Sequence, residues 1–111
     1  MALPFSITIR RNQVLKFDPN QIGFYCWHDY QSNPRTISMA ISEDKQQFVD
    51  WDTFLLDKKA GESLFKIKPI PAKYQFYKFT ILNNYGDDVT YLNSVTFYYS
   101  KELKLHRALE S

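Results

Sequence analysis

The chain has 111 residues, of which 44% are apolar and 23% charged, the size and composition of a single globular domain. Its net charge of +2 is too balanced for the basic surface of a nucleic-acid-binding protein, and it gives no strong steering toward anionic membranes. With only three glycines, the sequence is also a poor candidate for a glycine-rich phosphate-binding loop.

Aromatic residues make up 17% of the chain and predict a core rich in β-strands, because these side chains favour pleated, half-buried surfaces. Cys26 is the single cysteine, which excludes an internal disulfide and favours a reducing compartment. The first residues lack the pattern of a signal peptide, and no apolar run is long enough to span a membrane. We therefore expect a cytoplasmic protein, in which we include cytoskeletal, ciliary and nuclear settings, and not a secreted one.

The amino-terminal part of the chain predicts two strands. Apolar and polar side chains alternate over residues 5–10, which is typical of a strand with one buried face. A short apolar run at 14–17 is broken by Asp18-Pro19-Asn20, because proline fixes its own φ and restricts its neighbour. A dense aromatic strand is predicted at 22–28.

The middle of the chain predicts three further strands. Residues 35–42 alternate cleanly and place three apolar side chains on one face, Ile37, Met39 and Ile41. The polar stretch 42–47 indicates a loop or a single helical turn, and strands are then expected at 51–56 and 63–68.

The carboxy-terminal part predicts the strongest strand at 74–82, a loop at 83–88 and a closing strand at 92–99. Residues 101–111 have helix-forming composition. Seven short strands without long helices between them predict an all-β fold, an antiparallel, jelly-roll-like β-sandwich over residues 1–100 with a short helical or flexible tail at 101–111.

Three stretches resemble the discoidin-like, or galactose-binding-like, β-sandwich superfamily. They are residues 33–44, where a strand leads into a Ser-x-Asp turn, residues 71–79, and the loop Asn83-Asn84-Tyr85-Gly86 followed by Val95-Thr96-Phe97-Tyr98. The loop is most similar to SUN domains, and discoidin domains come next. The likeness extends over about residues 5 to 99 and implies the fold.

The chain also departs from that superfamily. The predicted first strand resembles one that such domains place after an N-terminal segment, so we expect the opening strands and their ligand loops to be absent. Tyr85 stands where many members carry tryptophan, and the cysteine pairing of many members is missing. The sugar or lipid binding of the superfamily is therefore not carried over to this chain.

The tetrad Cys26-Trp27-His28-Asp29 combines a thiol, an imidazole and a carboxylate. On a strand Cys26 and His28 share a face, as nucleophilic catalysis would require. No oxyanion site accompanies them, and one cysteine with two histidines distant from each other, His28 and His106, does not supply the four ligands of a zinc site. We interpret the tetrad as core and strand edge, and we expect no catalytic residues, no cofactor and no metal.

Two other motifs are better explained by a structural role than by ligand binding. Asp87 and Asp88 with the two preceding asparagines have the oxygen ligands that calcium prefers, but turn chemistry explains the same residues. Residues 73–79 interleave basic and aromatic side chains as nucleic-acid stacking platforms do. Since successive strand residues point to opposite faces, few of these aromatics would share one exposed platform, and a core strand is the better interpretation.

The remaining functional candidates are side chains in or beside turns, where rigid scaffolds usually present binding groups. They are Trp27, Tyr30, Asn83, Asn84, Tyr85 and Asp87. The other interpretation, equally weighted, is that the aromatics among them only cover the ends of the sandwich.

We expect a non-catalytic protein-interaction module within a larger intracellular assembly, with other protein subunits as partners and no nucleic acid. A sandwich without its first strands leaves an edge or groove that a partner strand or helix could cover. The tail, through Leu105 and Leu109, is a second expected contact. The alternative is a domain that binds glycans or phospholipids with its loop aromatics.

Overall fold

The computed structural model describes residues 3–11 and 18–99, and within them it contains seven strands. In chain order they are β1 (Phe5–Arg10), β2 (Gln21–Cys26), β3 (Pro34–Ser42), β4 (Val49–Leu55), β5 (Gly61–Lys66), β6 (Phe76–Asn84) and β7 (Ser94–Tyr98). This part of the chain has no helix that is long and apolar enough to cross a membrane.

The strands form two antiparallel sheets that pack as a sandwich. One sheet has four strands in the order β1-β6-β3-β4, and the other has three in the order β5-β2-β7. The predicted antiparallel β-sandwich is therefore confirmed. The helix expected at 101–111 and the apolar run at 14–17 lie outside the described residues.

Alternation along the strands builds the core between the two sheets. Ile37, Met39 and Ile41 of β3 are all buried, as the sequence predicts. The phenyl ring of Phe24, in the three-stranded sheet, lies 5.2 Å from that of Phe54 and 6.0 Å from that of Phe79 in the four-stranded sheet. Aromatic pairs at these centroid distances hold the two layers together.

Two strand boundaries differ from the sequence-based expectation in ways that matter for the site. β2 ends at Cys26, which is buried. His28 therefore lies beyond the strand, in an exposed bend. The expectation that these two side chains share a strand face is wrong. Asn83 and Asn84, expected in a loop, are the last residues of β6. A register irregularity in β3 beside Pro34 keeps β6 paired to its end, and this pairing overrides the turn preference of asparagine.

The sandwich has two sides where an edge strand of one sheet faces an edge strand of the other. On the side of β4 and β5, the chain closes the gap itself. The ring of Phe54 lies 5.1 Å from that of Phe65, and the indole Nε1 of Trp51 donates to the carbonyl oxygen of Lys68 at 3.2 Å. On the other side, β1 faces β7, and the two strands are not paired with each other.

Candidate functional site

Three connections meet at one end of the sandwich: β2–β3, β4–β5 and β6–β7. The backbone amide of Tyr85 donates to the carbonyl of Gln31 at 3.0 Å, and that of Tyr91 donates to Ser32 at 3.1 Å. The amide of Trp27 donates to Oδ1 of Asn93 at 2.9 Å. The structure therefore brings the predicted loop candidates to a common end of the molecule, which we call the loop end.

Asn33 holds the loop end together, although sequence reasoning did not select it as a site residue. Its side chain is buried, and its Nδ2 donates to the carbonyl of His28 at 2.6 Å and to that of Lys59 at 3.3 Å. The residue ties the β2–β3 connection to the β4–β5 connection. The signal in the sequence is weak, because an Asn-Pro pair indicates a turn but not a partner 26 residues away.

Trp27 and Tyr30 are the most exposed aromatic candidates of the loop end. Their side chains are 66% and 57% exposed. The phenol ring of Tyr30 stacks on the imidazole of His28, with centroids 4.4 Å apart and planes inclined by 12°. This stack fixes an open aromatic face, the kind of surface that packs on a planar or apolar partner group.

Asn84 has a structural role in the turn that follows β6. Its Nδ2 donates to the carbonyls of Asp87 and Val89 and to the hydroxyl of Thr90, and its Oδ1 accepts from the amides of Gly86 and Asp87. Gly86 has a φ of 112°, which glycine adopts without steric cost. These hydrogen bonds give the side chain of Asn84 a role in forming the turn.

The other candidates near this turn divide into supporting and exposed residues. The half-buried Tyr85 donates its hydroxyl to the carbonyl of Leu56, and the guanidinium of Arg35 lies 5.8 Å from its ring centre. Asn83 and Asp87 are exposed. Among the described residues, no three His, Cys, Asp or Glu side chains are grouped so that they could hold a metal ion.

The thiol of Cys26 lies in the interior, away from the exposed part of the loop end. The residue is 4% exposed, and burial raises the pKa of the thiol above its ordinary value. Since the thiolate is the nucleophilic form, this environment disfavours covalent chemistry. His28 lies in the exposed bend after β2 and stacks on Tyr30, so the tetrad is divided between core and surface.

A second surface lies between β1 and β7, and we call it the edge groove. It has a volume of about 430 Å³. Its walls are the inner faces of β1 and β6 and the segment leading into β7, with these apolar side chains: Phe5, Ile7, Ile9, Phe79, Ile81, Leu92 and Val95. Both sheets contribute apolar side chains to one open cleft.

The inward side chains of β1 form the rim of the edge groove. Phe5, Ile7 and Ile9 pair in register with Ile81, Phe79 and Tyr77 of β6, so they point toward the interior of the sandwich. Ile7 nevertheless remains 40% exposed. The alternation at residues 5–10 predicts which face of β1 is apolar, but it contains no information on how far the opposite sheet extends.

The chain matches no protein-family profile and no curated protein sequence. Solved structures that resemble it include the C-terminal domain of a chitobiase from Bacteroides fragilis, with a TM-score of 0.67 and 18% sequence identity. The match covers 90% of this chain and 66% of that one, so the chain spans just under two thirds of the neighbour's length. At this identity the likeness establishes the β-sandwich fold.

Proposed function

We propose that this domain is a non-catalytic protein-interaction module and that the edge groove is its docking surface. The observation that carries the proposal is the exposure of Ile7. Its side chain points toward the interior of the sandwich and is nevertheless 40% exposed. Removing apolar surface from water contributes about 25 cal/mol per Å² of favourable free energy. Covering the groove with a partner would therefore favour binding.

The two sides of the sandwich support this proposal by their contrast. The chain seals the side of β4 and β5 with Trp51 and Phe65, whereas the groove between β1 and β7 stays open in the described residues. Among the described strands, β1 also has one edge without a pairing partner, and native proteins usually cover or blunt such edges. An apolar cleft beside a free strand edge is the combination that peptide-binding sheets use.

We also propose a superfamily for this β-sandwich. We assign the sandwich to the discoidin-like superfamily, nearest to SUN domains, with an intracellular assembly as its setting and other protein subunits as its partners. Two local geometries support the assignment. Asp44 accepts hydrogen bonds from the amides of Gln46 and Gln47 in the Ser-x-Asp turn, and Asn84 organises the turn at Gly86.

Crosslinking mass spectrometry in native extract tests the docking surface with a matched pair of variants, using a crosslinker whose photoreactive end inserts into any side chain, because β1 and β7 contain no lysine. Ile7→Lys places a charge in the groove, and Leu64→Lys places the same charge on the outer face of β5, where Leu64 is 58% exposed. We expect partner crosslinks to β1 and β7 that Ile7→Lys abolishes and Leu64→Lys preserves. Partners retained equally by both variants would contradict the proposal.

The tail is a second proposed contact of the module, through Leu105 and Leu109, which lie outside the described residues. Truncation after residue 100 tests it in the same crosslinking experiment. We expect the crosslinks to β1 and β7 to persist and those at the lysines of the tail to disappear together with part of the affinity. An unchanged affinity would remove the tail from the proposal.

A second candidate function rests on the loop end. Trp27 and the stacked pair of Tyr30 and His28 present exposed rings, and one similar solved structure is a domain of a chitobiase. The corresponding proposal is a glycan- or phospholipid-binding domain. A glycan array and vesicle binding test it with Trp27→Ala, and Leu55→Ala on β4 is the control for a lost exposed apolar side chain. Binding that depends on Trp27 would favour this function over the first.

A further inference from the structure

We propose that the occupant of the edge groove is an extended strand of a partner protein, which pairs with β1 and inserts alternate apolar side chains between the sheets. This inference rests on the proposed function and specifies the chemistry of the partner. It follows from the dimensions of the groove, the register of β1 and the charges on the outer face of the sheet.

The dimensions of the groove fit the side chains of one strand. A cavity of about 150 Å³ accommodates a benzene-sized group, so the 430 Å³ of the groove corresponds to about three such side chains. Three inward residues of β1, namely Phe5, Ile7 and Ile9, border it. In a strand, alternate residues lie about 7 Å apart, so an added strand would place three side chains opposite these three.

The space beside β1 also favours a strand over a helix. Neighbouring strands lie about 4.8 Å apart, and packed sheets lie about 10 Å apart. A helix with its side chains has a diameter of about 10–12 Å and leaves the amide and carbonyl groups of a sheet edge without partners. An added strand satisfies the edge of β1 and fills the cleft with the same residues.

The outer face of β1 specifies the other half of the partner's sequence. Ser6, Thr8 and Arg10 are exposed on this face, and Thr8 is paired with Lys78 of β6. The hydroxyls of Ser6 and Thr80 are hydrogen-bonded across the two strands at 2.7 Å. Cross-strand pairs of opposite charge and of hydroxyl side chains stabilise a sheet. An antiparallel partner therefore carries an acidic residue opposite Arg10 and Ser or Thr opposite Thr8 and Ser6.

The partner motif follows from antiparallel pairing, which is slightly more stable per residue than parallel pairing. Read from its amino terminus, it has an acidic residue, then an aliphatic one, and then two repeats of a hydroxyl residue followed by an aliphatic one. The three aliphatic residues face Ile9, Ile7 and Phe5 in that order.

Selection from a display library of random 12-residue peptides tests the motif on the whole chain, with counter-selection on the Ile7→Lys variant. We expect enrichment of aliphatic residues at spacing two, preceded by Asp or Glu. Repeating the selection on Arg10→Glu is expected to replace the acidic residue with Lys or Arg, with a preference of up to about fivefold in Kd. Aliphatic residues at spacings of three and four would indicate a helix and overturn the inference.

Backbone methylation of the best synthetic peptide tests strand pairing directly. N-methyl groups on the amides that face β1 remove ladder hydrogen bonds, and we expect Kd to rise by about 10-fold or more. Methylation of the alternate amides, which face solvent, is the matched control and is expected to change Kd little. Equal effects of the two sets would overturn strand addition.

The outcomes separate this inference from the proposed function. If no peptide is enriched on the wild-type chain over Ile7→Lys, strand addition is wrong. The interaction module still stands in that case if crosslinked partners of the full chain depend on Ile7. Loss of both results removes the groove as a docking surface. Circular dichroism of Ile7→Lys checks that the variant folds, and we expect it to fold because the position is 40% exposed.

Discussion

Trp51 of β4 contacts Lys68, in the segment that follows β5, on the side of the molecule opposite the edge groove. The indole Nε1 of Trp51 donates to the carbonyl oxygen of Lys68 at 3.2 Å, and the ammonium of the same lysine lies 4.5 Å from the indole ring centre. The ring of Tyr74 packs nearby, 6.3 Å from that of Trp51. One half-buried tryptophan therefore closes the side of β4 and β5, whereas the side of β1 and β7 stays open in the part of the chain that the structure describes.

Trp51→Ala should open this second side and destabilise the fold. Truncation of a fully buried tryptophan costs about 3–5 kcal/mol, and because Trp51 is only half-buried we expect a loss of about 2 kcal/mol in the free energy of unfolding. Urea denaturation measures this loss. Trp27→Ala is the matched control, since Trp27 is 66% exposed and its truncation should change stability by no more than about 0.5 kcal/mol. Equal losses in the two variants would contradict the closing role of Trp51.

Asn84→Ala should destabilise the turn after β6. The substitution removes five hydrogen bonds of one side chain and leaves the buried hydroxyl of Thr90 without its contact to Nδ2. Water replaces part of the loss at the exposed groups, so we expect a cost of about 1–2 kcal/mol. The neighbouring, exposed Asn83 provides the control, and Asn83→Ala should leave the thermal midpoint nearly unchanged. A larger effect at position 83 would show that strand pairing, and not the turn, depends on these asparagines.

The sequence was informative where one local pattern determines the outcome. The alternation along the chain predicts the bounds of β1, those of β3 to within one residue, and the inward apolar face of each strand, because side-chain direction in a strand has a period of two. The sequence was misleading at Asn83 and Asn84, because their composition predicts a turn whereas they pair with β3, a strand distant in the chain. The propensities of single residues contain no information on such long-range pairing.

The two surfaces of the candidate site were predictable to different extents. Exposed aromatics beside turns could be selected from the sequence, and Trp27 and Tyr30 are exposed. The hydrogen bonds of Asn33 between two connections and the walls of the edge groove could not be predicted, because both depend on which segments meet in space. Asn33 contacts Lys59, and β1 faces β7 from opposite ends of the chain.

The stability of the domain should fall in alkaline solution. Burial raises the pKa of the Cys26 thiol, and burial also raises the pKa of the Tyr77 hydroxyl, an effect that the charge of Arg11 partly offsets. A group whose pKa is higher in the folded state stabilises that state fully below its unfolded pKa, and this contribution is lost as pH rises through the folded value. We therefore expect the free energy of unfolding to decline above about pH 9.

Cys26→Ala isolates the contribution of the thiol to this decline. Urea denaturation at several pH values between about 8 and 10 measures the slope of stability against pH. The variant should show a shallower slope than the wild type, whatever its stability at neutral pH. Parallel slopes would mean that the tyrosines or other groups cause the alkaline loss and that the thiol contributes nothing to it.

Tyr98 and Glu62 provide a last test, on the outer face of the three-stranded sheet. The Tyr98 hydroxyl donates to Oε2 of Glu62 at 2.7 Å, across the central residue Gly23, whose missing side chain leaves room for the glutamate. This hydrogen bond, more than any other cause, raises the pKa of Tyr98 above its ordinary value of 10.0.

Glu62→Gln should therefore lower the pKa of Tyr98, because the neutral amide no longer favours the protonated phenol as the carboxylate does. Gly23→Ala should act in the same direction by another route, since a Cβ at this position collides with the Glu62 carboxylate and displaces it. An NMR titration of the ring carbon bonded to the hydroxyl measures the pKa in each variant. Asp52→Asn, which removes a like charge from the other sheet, is the control and should leave the titration of Tyr98 in place. A fall in pKa with Asp52→Asn as large as with Glu62→Gln would show that net charge, and not the hydrogen bond, governs this tyrosine.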